Sequence, residues 1–245
     1  DVMTEDPLIY GAMLSPQGKI RFDFFLHQAD KKLLMDVASY QSEDIRKILR
    51  LYKLRADVTI EENPELAVVA FLEKNESFPA DPRLAAMGHR GIVPREELVG
   101  QPLLPDLAYH TQRINCGIPD TIDFIPDRAF ISEYGLDLLN GVSFAKGCYV
   151  GQEVVARTKH RGTVHKTLHK VSSTRNNLPR GGTAILAGER EIGTLRSSID
   201  GNGLAIIRKD KLAKTNDKLI AGDIELESVV MPEWFILNED KVSNE

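Results

Sequence analysis

The chain has 245 residues, 42% of them hydrophobic and 27% charged, with a formal net charge of −5. That is ordinary globular usage, enough for one large domain or two smaller ones, and it excludes a protein coated in basic surface for indiscriminate nucleic-acid binding. No apolar run approaches the roughly 18 residues of a membrane span, and the opening DVMTEDPLIY has neither a basic nor an apolar leader segment. The expectation is therefore a cytoplasmic protein with no membrane partner and no direct DNA binding. The cysteines are Cys116 and Cys148, too few and too far apart for a disulfide framework or a Cys-x-x-Cys pair, so Cys148 is expected to act as a free thiol.

In LSPQGKIRFDFFLHQ, a Pro-Gln-Gly turn precedes Ile20, Phe22, Phe24 and Leu26, which alternate with Arg21, Asp23 and Phe25. This is strand periodicity, and it turns Asp23 away from the main apolar face. Residues 32–38 read as the second strand of a hairpin. In SEDIRKILRLYKLRADV, Ile45, Ile48, Leu49, Leu51 and Tyr52 lie at helical spacing, with Ser42 as N-cap, Glu43 and Asp44 in the first turn, and Lys53 and Arg55 in the last. Residues 65–72 predict a buried strand, and FPADPRLAAMGHRGIV a loop leading into another. A helix is expected over 107–114, stopped by Gly117 and Pro119. The stretch 121–144 has no clean period and reads as irregular chain wrapped over a surface.

After Gly162 the texture changes to short strands at 164–171, 183–186, 191–197, 204–207 and 223–226, separated by turn-like RNNLPRGG, DGNG and KTND. Strands at such intervals predict a small closed or sandwich β domain. The expected class is α+β, with a boundary at 161–163 dividing 1–162 from 163–245.

The loop KGCYVGQEVVARTKHRG is the most unusual stretch. Its glycines allow positive φ and close backbone approach. Lys146, two residues before Cys148, would favour a thiolate; against this, a free cysteine more often behaves as a small buried hydrophobe, and residue chemistry alone favours that reading. Between Lys146 and Lys170 there are six cations (Lys146, Arg157, Lys159, Arg161, Lys166 and Lys170) and a single anion, Glu153. An anionic partner such as a carboxylate tail or a phosphate fits this window, and so does a solvated basic face. Asp23, flanked by phenylalanines, suits acid–base work or amine binding, or else is an exposed strand acid paired with Arg21. His165 and His169 on one strand face would sit roughly 13 Å apart, too far for one ion. There is no HExxH, P-loop, GxGxxG or GxSxG motif.

KGCYVGQE resembles the signature of the YgfZ family, bacterial folate-binding proteins related to mitochondrial iron–sulfur maturation factors and, more distantly, to the T-protein of the glycine cleavage system. The likeness continues in order through LSPQGKIRFDFF, LRLYKLRADV, DPRLAAMGHRG, RINCGIPD, FIPDRAFISEYGLDLLNGVSF, EIGTLRSS, GLAIIRKD and PEWF, and so covers essentially the whole chain. It implies a cloverleaf of α+β folate-binding lobes around a central channel, finished by a small β-barrel. It also implies that a strand and helix that usually precede Asp1 are missing, so that the N-terminal lobe is truncated.

By this resemblance Cys148 is the working thiol, tuned by Lys146, with Gly147, Tyr149, Gly151, Gln152 and Glu153 completing its loop. Asp23 falls where the related aminomethyltransferases carry a catalytic aspartate. The implied folate contacts are Asp23, Arg113, Asn115, Tyr149, Gln152, Glu153 and Arg157, with Arg157, Lys159 and Arg161 drawing the glutamate tail. Asn115 departs from the transferase pattern, which has a glutamate that holds the pterin; an amide cannot make that charge-assisted pair. The implied function is a tetrahydrofolate-binding accessory factor for iron–sulfur cluster assembly or repair, supporting cluster-dependent enzymes including those of tRNA modification. It carries no resident metal, and its partners are iron–sulfur proteins or assembly factors. The alternatives are a tetrahydrofolate-dependent aminomethyltransferase and a cysteine hydrolase assisted by His160.

Overall fold

A computed structural model of the chain describes residues 6–30, 32–144, 146–161 and 164–242, without the side chains of 159–161 and 238–242. The readings placed on Lys159, His160 and Arg161 lie outside the described side chains.

The first part is built on an antiparallel sheet of β1 (Leu8–Leu14), β2 (Ile20–Ala29) and β3 (Lys32–Asp36) in the order β1-β2-β3. The turn between β1 and β2 closes as the sequence predicts, with Gly18 at φ 71° donating its N–H to the Ser15 carbonyl at 2.9 Å. Burial changes phase along β2: Ile20 and Phe22 are buried, but then so are Asp23, Phe25 and His27. Asp23 therefore faces inward, beside Phe25 and His27 and across from Ala12, Tyr10 and Leu8 of β1. The alternation read from the sequence is real; its inside and outside could not be assigned because both faces of β2 carry phenylalanine.

Helix α1 (Ser42–Tyr52) follows a 3-10 turn at Ser39–Gln41, and Gln41 rather than Ser42 holds the cap position. Of its residues only Ile45 is buried. Strands β4 (Leu66–Phe71) and β5 (His89–Pro94) pair as a separate two-stranded sheet. The expectation of a buried strand fails for β4, whose Val68 is 43% exposed, because a two-stranded ribbon has one covered face only. Helix α2 (Asp106–Cys116) ends as predicted at Gly117, φ 72°, where the N–H groups of Gly117 and Ile118 reach the Ile114 and Arg113 carbonyls. The aperiodic stretch after it holds a 3-10 turn, Thr121–Asp123, and the single-turn α3 (Ile131–Tyr134). It is not a surface wrap: Phe124, Ile131, Tyr134, Leu136 and Leu139 are all core residues.

Helix α4 (Gln152–Arg161) occupies a segment read from its sequence as loop. Beyond it, β6 (Lys166–Ser172), β7 (Ala184–Ala187), β8 (Arg190–Ile199), β9 (Asn202–Arg208), β10 (Leu219–Ala221), β11 (Ile224–Glu225) and β12 (Ser228–Val230) form one curled antiparallel sheet, in the order β11-β10-β7-β8-β9-β6-β12. The single-turn α5 (Lys209–Leu212) follows β9, and α6 (Glu233–Val242) follows β12. β9 shows how the sheet joins the rest: Ala205 and Ile207 enter the sheet's own core, while Leu204 and Ile206 belong to the core shared with α2 and α3. Burial on both faces explains its unbroken apolar run. Trp234 and Phe235 of α6 fold back onto that shared core, and the Trp234 indole N–H donates to the Cys116 carbonyl at 2.9 Å.

Candidate functional site

The inward face of the β1–β2 hairpin carries a buried carboxylate. Asp23 is 4% exposed. Its Oδ2 accepts from the Tyr10 hydroxyl at 3.1 Å, and its Oδ1 accepts from the Thr121 hydroxyl. Burial first, and the charge of Asp120 second, push its carboxyl up to about 6, against the opposing pull of Thr121, Arg83 and Tyr10. Asp120 behaves oppositely. Burial would raise it too, but Arg113 and Arg83 outweigh burial and hold its carboxyl below the usual range. Two neighbouring carboxyls driven apart in this way hold one proton between them below about pH 6, on Asp23, and lose it above, which is the arrangement of an acid–base pair.

Arg113 joins this group from α2, fully buried. Its Nη1 donates to Asp123 Oδ2 at 2.7 Å and to the Ile118 carbonyl at 3.2 Å, its Nε donates to His110 Nδ1 at 3.0 Å, and the same Nε lies 3.8 Å from Asp120 Oδ2. These bonds make Arg113 a buried organiser of the 120–123 turn, where the resemblance implied a direct folate contact. Asn115, two residues on, points to the exposed side of α2 and does not join Arg113. The i, i+2 spacing on a helix sends the two side chains to different faces.

Next to Asp23 the same face presents Phe25 beneath two guanidinium groups, with Arg83 at 4.7 Å and Arg90 at 4.3 Å from its ring centre. Arg83 is held bidentately by Asp81 at 3.0 and 2.7 Å and donates to the Tyr109 hydroxyl at 2.8 Å. Arg90 donates to Asp36 at 2.6 Å, and His27 Nε2 stands 3.8 Å from the same carboxylate oxygen. Tyr10, Arg83, Arg90, Asp120 and Thr121 were not singled out by sequence reasoning. Arg83 and Arg90 do stand within DPRLAAMGHRG, where the ion pairing of Asp81 with an arginine two residues on was the available signal.

The cysteine loop is a different kind of site. Cys148 is exposed, whereas Cys116 is half-buried with its thiol pushed up by burial. The expectation that residue chemistry favoured for Cys148, a buried apolar filler, does not hold. Lys146 lies with its ammonium 4.6 Å from the centre of the Tyr149 ring, a cation–π contact that places it beside the loop's aromatic. Burial raises the Tyr149 phenol, and among the described residues its buried hydroxyl has no hydrogen-bond partner. Gly151, at φ 86°, leads into α4, and a Cβ there would lie 2.8 Å from the Ser15 carbonyl oxygen and 3.0 Å from Gly18 Cα. The loop is thus seated directly on the β1–β2 turn, the hairpin that carries Asp23. On α4, Gln152 is half-buried, Glu153 and Arg157 are exposed one turn apart, and Val155 packs into the core. The structure brings Asp23 and Arg113 together through Asp120, and Lys146 to Tyr149. Among the described residues no hydrogen bond or ion pair joins the two groups.

The family described as "CAF17, C-terminal beta-barrel domain" matches residues 152–236. The mouse protein named "Iron-sulfur cluster assembly factor IBA57, mitochondrial" is 31% identical over 92% of this chain and 72% of its own length. The chain belongs to the IBA57 family. The human protein of the same name is 33% identical over 83% of the chain and 65% of its length, and the homologue from Mycosarcoma maydis is 29% identical over 69% and 48%. The chain thus spans 72%, 65% and 48% of these three IBA57 relatives. The resemblance to YgfZ is corrected to this related family. The cytoplasmic expectation is overturned, since the relatives are named mitochondrial. The glycine cleavage system aminomethyltransferase T from Bartonella henselae superposes with a TM-score of 0.62 at 10% identity, covering 95% of this chain and 77% of that one. This establishes an aminomethyltransferase-type fold completed by a β-barrel domain, as expected from the sequence.

Proposed function

We propose that this IBA57-family chain works in mitochondrial iron–sulfur cluster assembly or repair, with Cys148 as its working thiol. The observation that carries this reading is the contrast in thiol placement. Cys148 is exposed on a loop seated on the β1–β2 turn, while Cys116 is half-buried against Gln112 and α6. A single thiolate supplies one of the about four ligands a cluster takes, so Cys148 acts with thiols contributed by a partner iron–sulfur protein or assembly factor, transiently. A thiol must lose its proton to ligate.

The aminomethyltransferase-type region would bind a tetrahydrofolate, with Asp23 and Asp120 facing its nitrogen-rich ring and Arg157 among the cations that draw its glutamate tail. In this reading the factor supports cluster-dependent enzymes, tRNA-modifying ones among them. A second reading, aminomethyl transfer to tetrahydrofolate, is favoured by one feature: Asp23 has its carboxyl pushed up to about 6, where it can pass a proton at neutral pH. The two readings separate by rescue of an iron–sulfur maturation defect with Cys148→Ala and with Asp23→Ala. The assembly reading predicts no rescue by the first variant. Full rescue by Cys148→Ala and none by Asp23→Ala would support the transferase. Titration of tetrahydrofolate against the purified chain tests the folate assignment, and the absence of a saturable signal would remove it.

A further inference from the structure

The Tyr109 phenol carries a proton that the fold does not use. Two guanidinium groups converge on its oxygen: Arg83 Nη2 donates at 2.8 Å and Arg90 Nη1 at 3.4 Å. A guanidinium has donors only, so neither arginine can receive the phenol's own proton. The carboxylates that hold these arginines are engaged as well. Asp81 accepts from the Arg83 backbone N–H, Nε and Nη2, and Asp36 accepts from Arg90 Nε. Among the described residues none accepts from the Tyr109 hydroxyl.

This donor is fixed in place beside the Asp23 group. Arg83 and Asp81 are buried, while Tyr109 itself is half-buried on α2, where a small molecule can reach it. With two cations filling its acceptor side, the O–H is directed away from them. Donation by charged groups also polarises the hydroxyl and strengthens the bond it gives. Arg83 ties the phenol to the buried carboxylate: its guanidinium lies 4.7 Å from the ring centre of Phe25 and 5.5 Å from that of Tyr10, whose hydroxyl donates to Asp23. One arginine thus connects a carboxylate, which accepts, with a phenol that has only its proton left to give.

On the folate reading proposed above, we infer that Tyr109 is a specificity-determining residue of the Asp23 site, its hydroxyl donating to the ring carbonyl of the pterin. A pterin carries amino and ring N–H donors beside that carbonyl. The donors suit the carboxyls, and the carbonyl suits the one hydroxyl here that lacks an acceptor. A ring with an amino group in place of the carbonyl would set donor against donor. A site built to hydrogen-bond one group discriminates most sharply against a ligand that leaves that bond unmade.

The test compares folic acid with aminopterin, which differs by an amino group in place of that carbonyl, by calorimetric titration of the purified chain. Tyr109→Phe keeps the ring against Arg90 and His110 and removes only the hydroxyl. It should weaken folic acid roughly tenfold and leave aminopterin unchanged, so that the preference between the two falls by that factor. Equal weakening of both ligands would make Tyr109 a structural residue and overturn the inference, as would an unchanged ratio. A second measurement needs no variant: folic acid labelled with carbon-13 at the ring carbonyl should shift downfield on binding to wild type, as a carbonyl does when it accepts a hydrogen bond. No shift would also overturn it. If wild type binds neither compound, the folate reading falls and the role of Tyr109 with it, whereas binding of both with no change of ratio in Tyr109→Phe sinks the Tyr109 assignment alone.

Discussion

The Asp23 group and the Cys148 loop sit on opposite sides of one structural decision. Around Asp23 a set of buried polar groups is tied together: Tyr10 and Thr121 to Asp23, Arg113 to Asp123, Arg83 to Asp81, Arg90 to Asp36. Around Cys148 the residues are exposed, and order comes from a backbone seat at Gly151 and a cation–π contact. A buried network sets protonation states and is costly to disturb. An exposed thiol on a seated loop can reach a partner and is cheap to change. The molecule therefore keeps a tied, buried carboxylate network apart from an exposed thiol.

The contrast can be broken in steps. Arg113→Met should have the largest effect on stability, because Asp123 and Asp120 would keep buried charge without their guanidinium; a loss of about 3–5 kcal/mol is expected by denaturant unfolding. Gly151→Val comes next, at about 3 kcal/mol, since a side chain there meets both the unfavourable φ of 86° and the Ser15 carbonyl oxygen at 2.8 Å. It should also change the alkylation rate of Cys148 while leaving that of Cys116 alone.

The third step is a pH dependence. The Asp23 carboxyl is pushed up to about 6 in the fold, against an ordinary value near 4, so the folded state binds more protons than the unfolded one between those values. Stability from this group is therefore undiminished below about pH 4 and falls as pH rises to about 6, by about 3 kcal/mol. Asp23→Asn cannot ionise, and should be more stable relative to wild type at pH 7.5 than at pH 4 by that amount. Smallest of all, Cys148→Ala should leave stability within about 0.5 kcal/mol, as for any exposed side chain without a structural bond.

Much of this architecture was legible in the sequence, and the exceptions have physical reasons. The β2–β3 hairpin, α1, the Gly117 stop of α2 and five of the strands of the curled sheet followed from period and turn chemistry. Helix α4 did not, because Gly147 and Gly151 before it and the dense cations within it read as loop, although Gln152 to Arg161 contains no breaker. β10 and β12 are three residues each, too short for a period. Asp23 was turned the wrong way, since alternation gives two faces and only the covering chain, here Thr121 and Asp120, decides which is inside. Asn115 illustrates the reverse: a motif position carried over from transferases that α2 turns to solvent. Cys148 could not be placed by its chemistry at all. The loop's in-order resemblance and its exposed position in the fold single it out together.

The central claim is that Cys148, and not the molecule's other thiol, does the work. The direct measurement is rescue of an iron–sulfur maturation defect by Cys148→Ala and by Cys116→Ala, each expressed at the wild-type level. The account predicts no restoration of cluster-enzyme activity by Cys148→Ala and full restoration by Cys116→Ala. Rescue by Cys148→Ala at the wild-type level would contradict it.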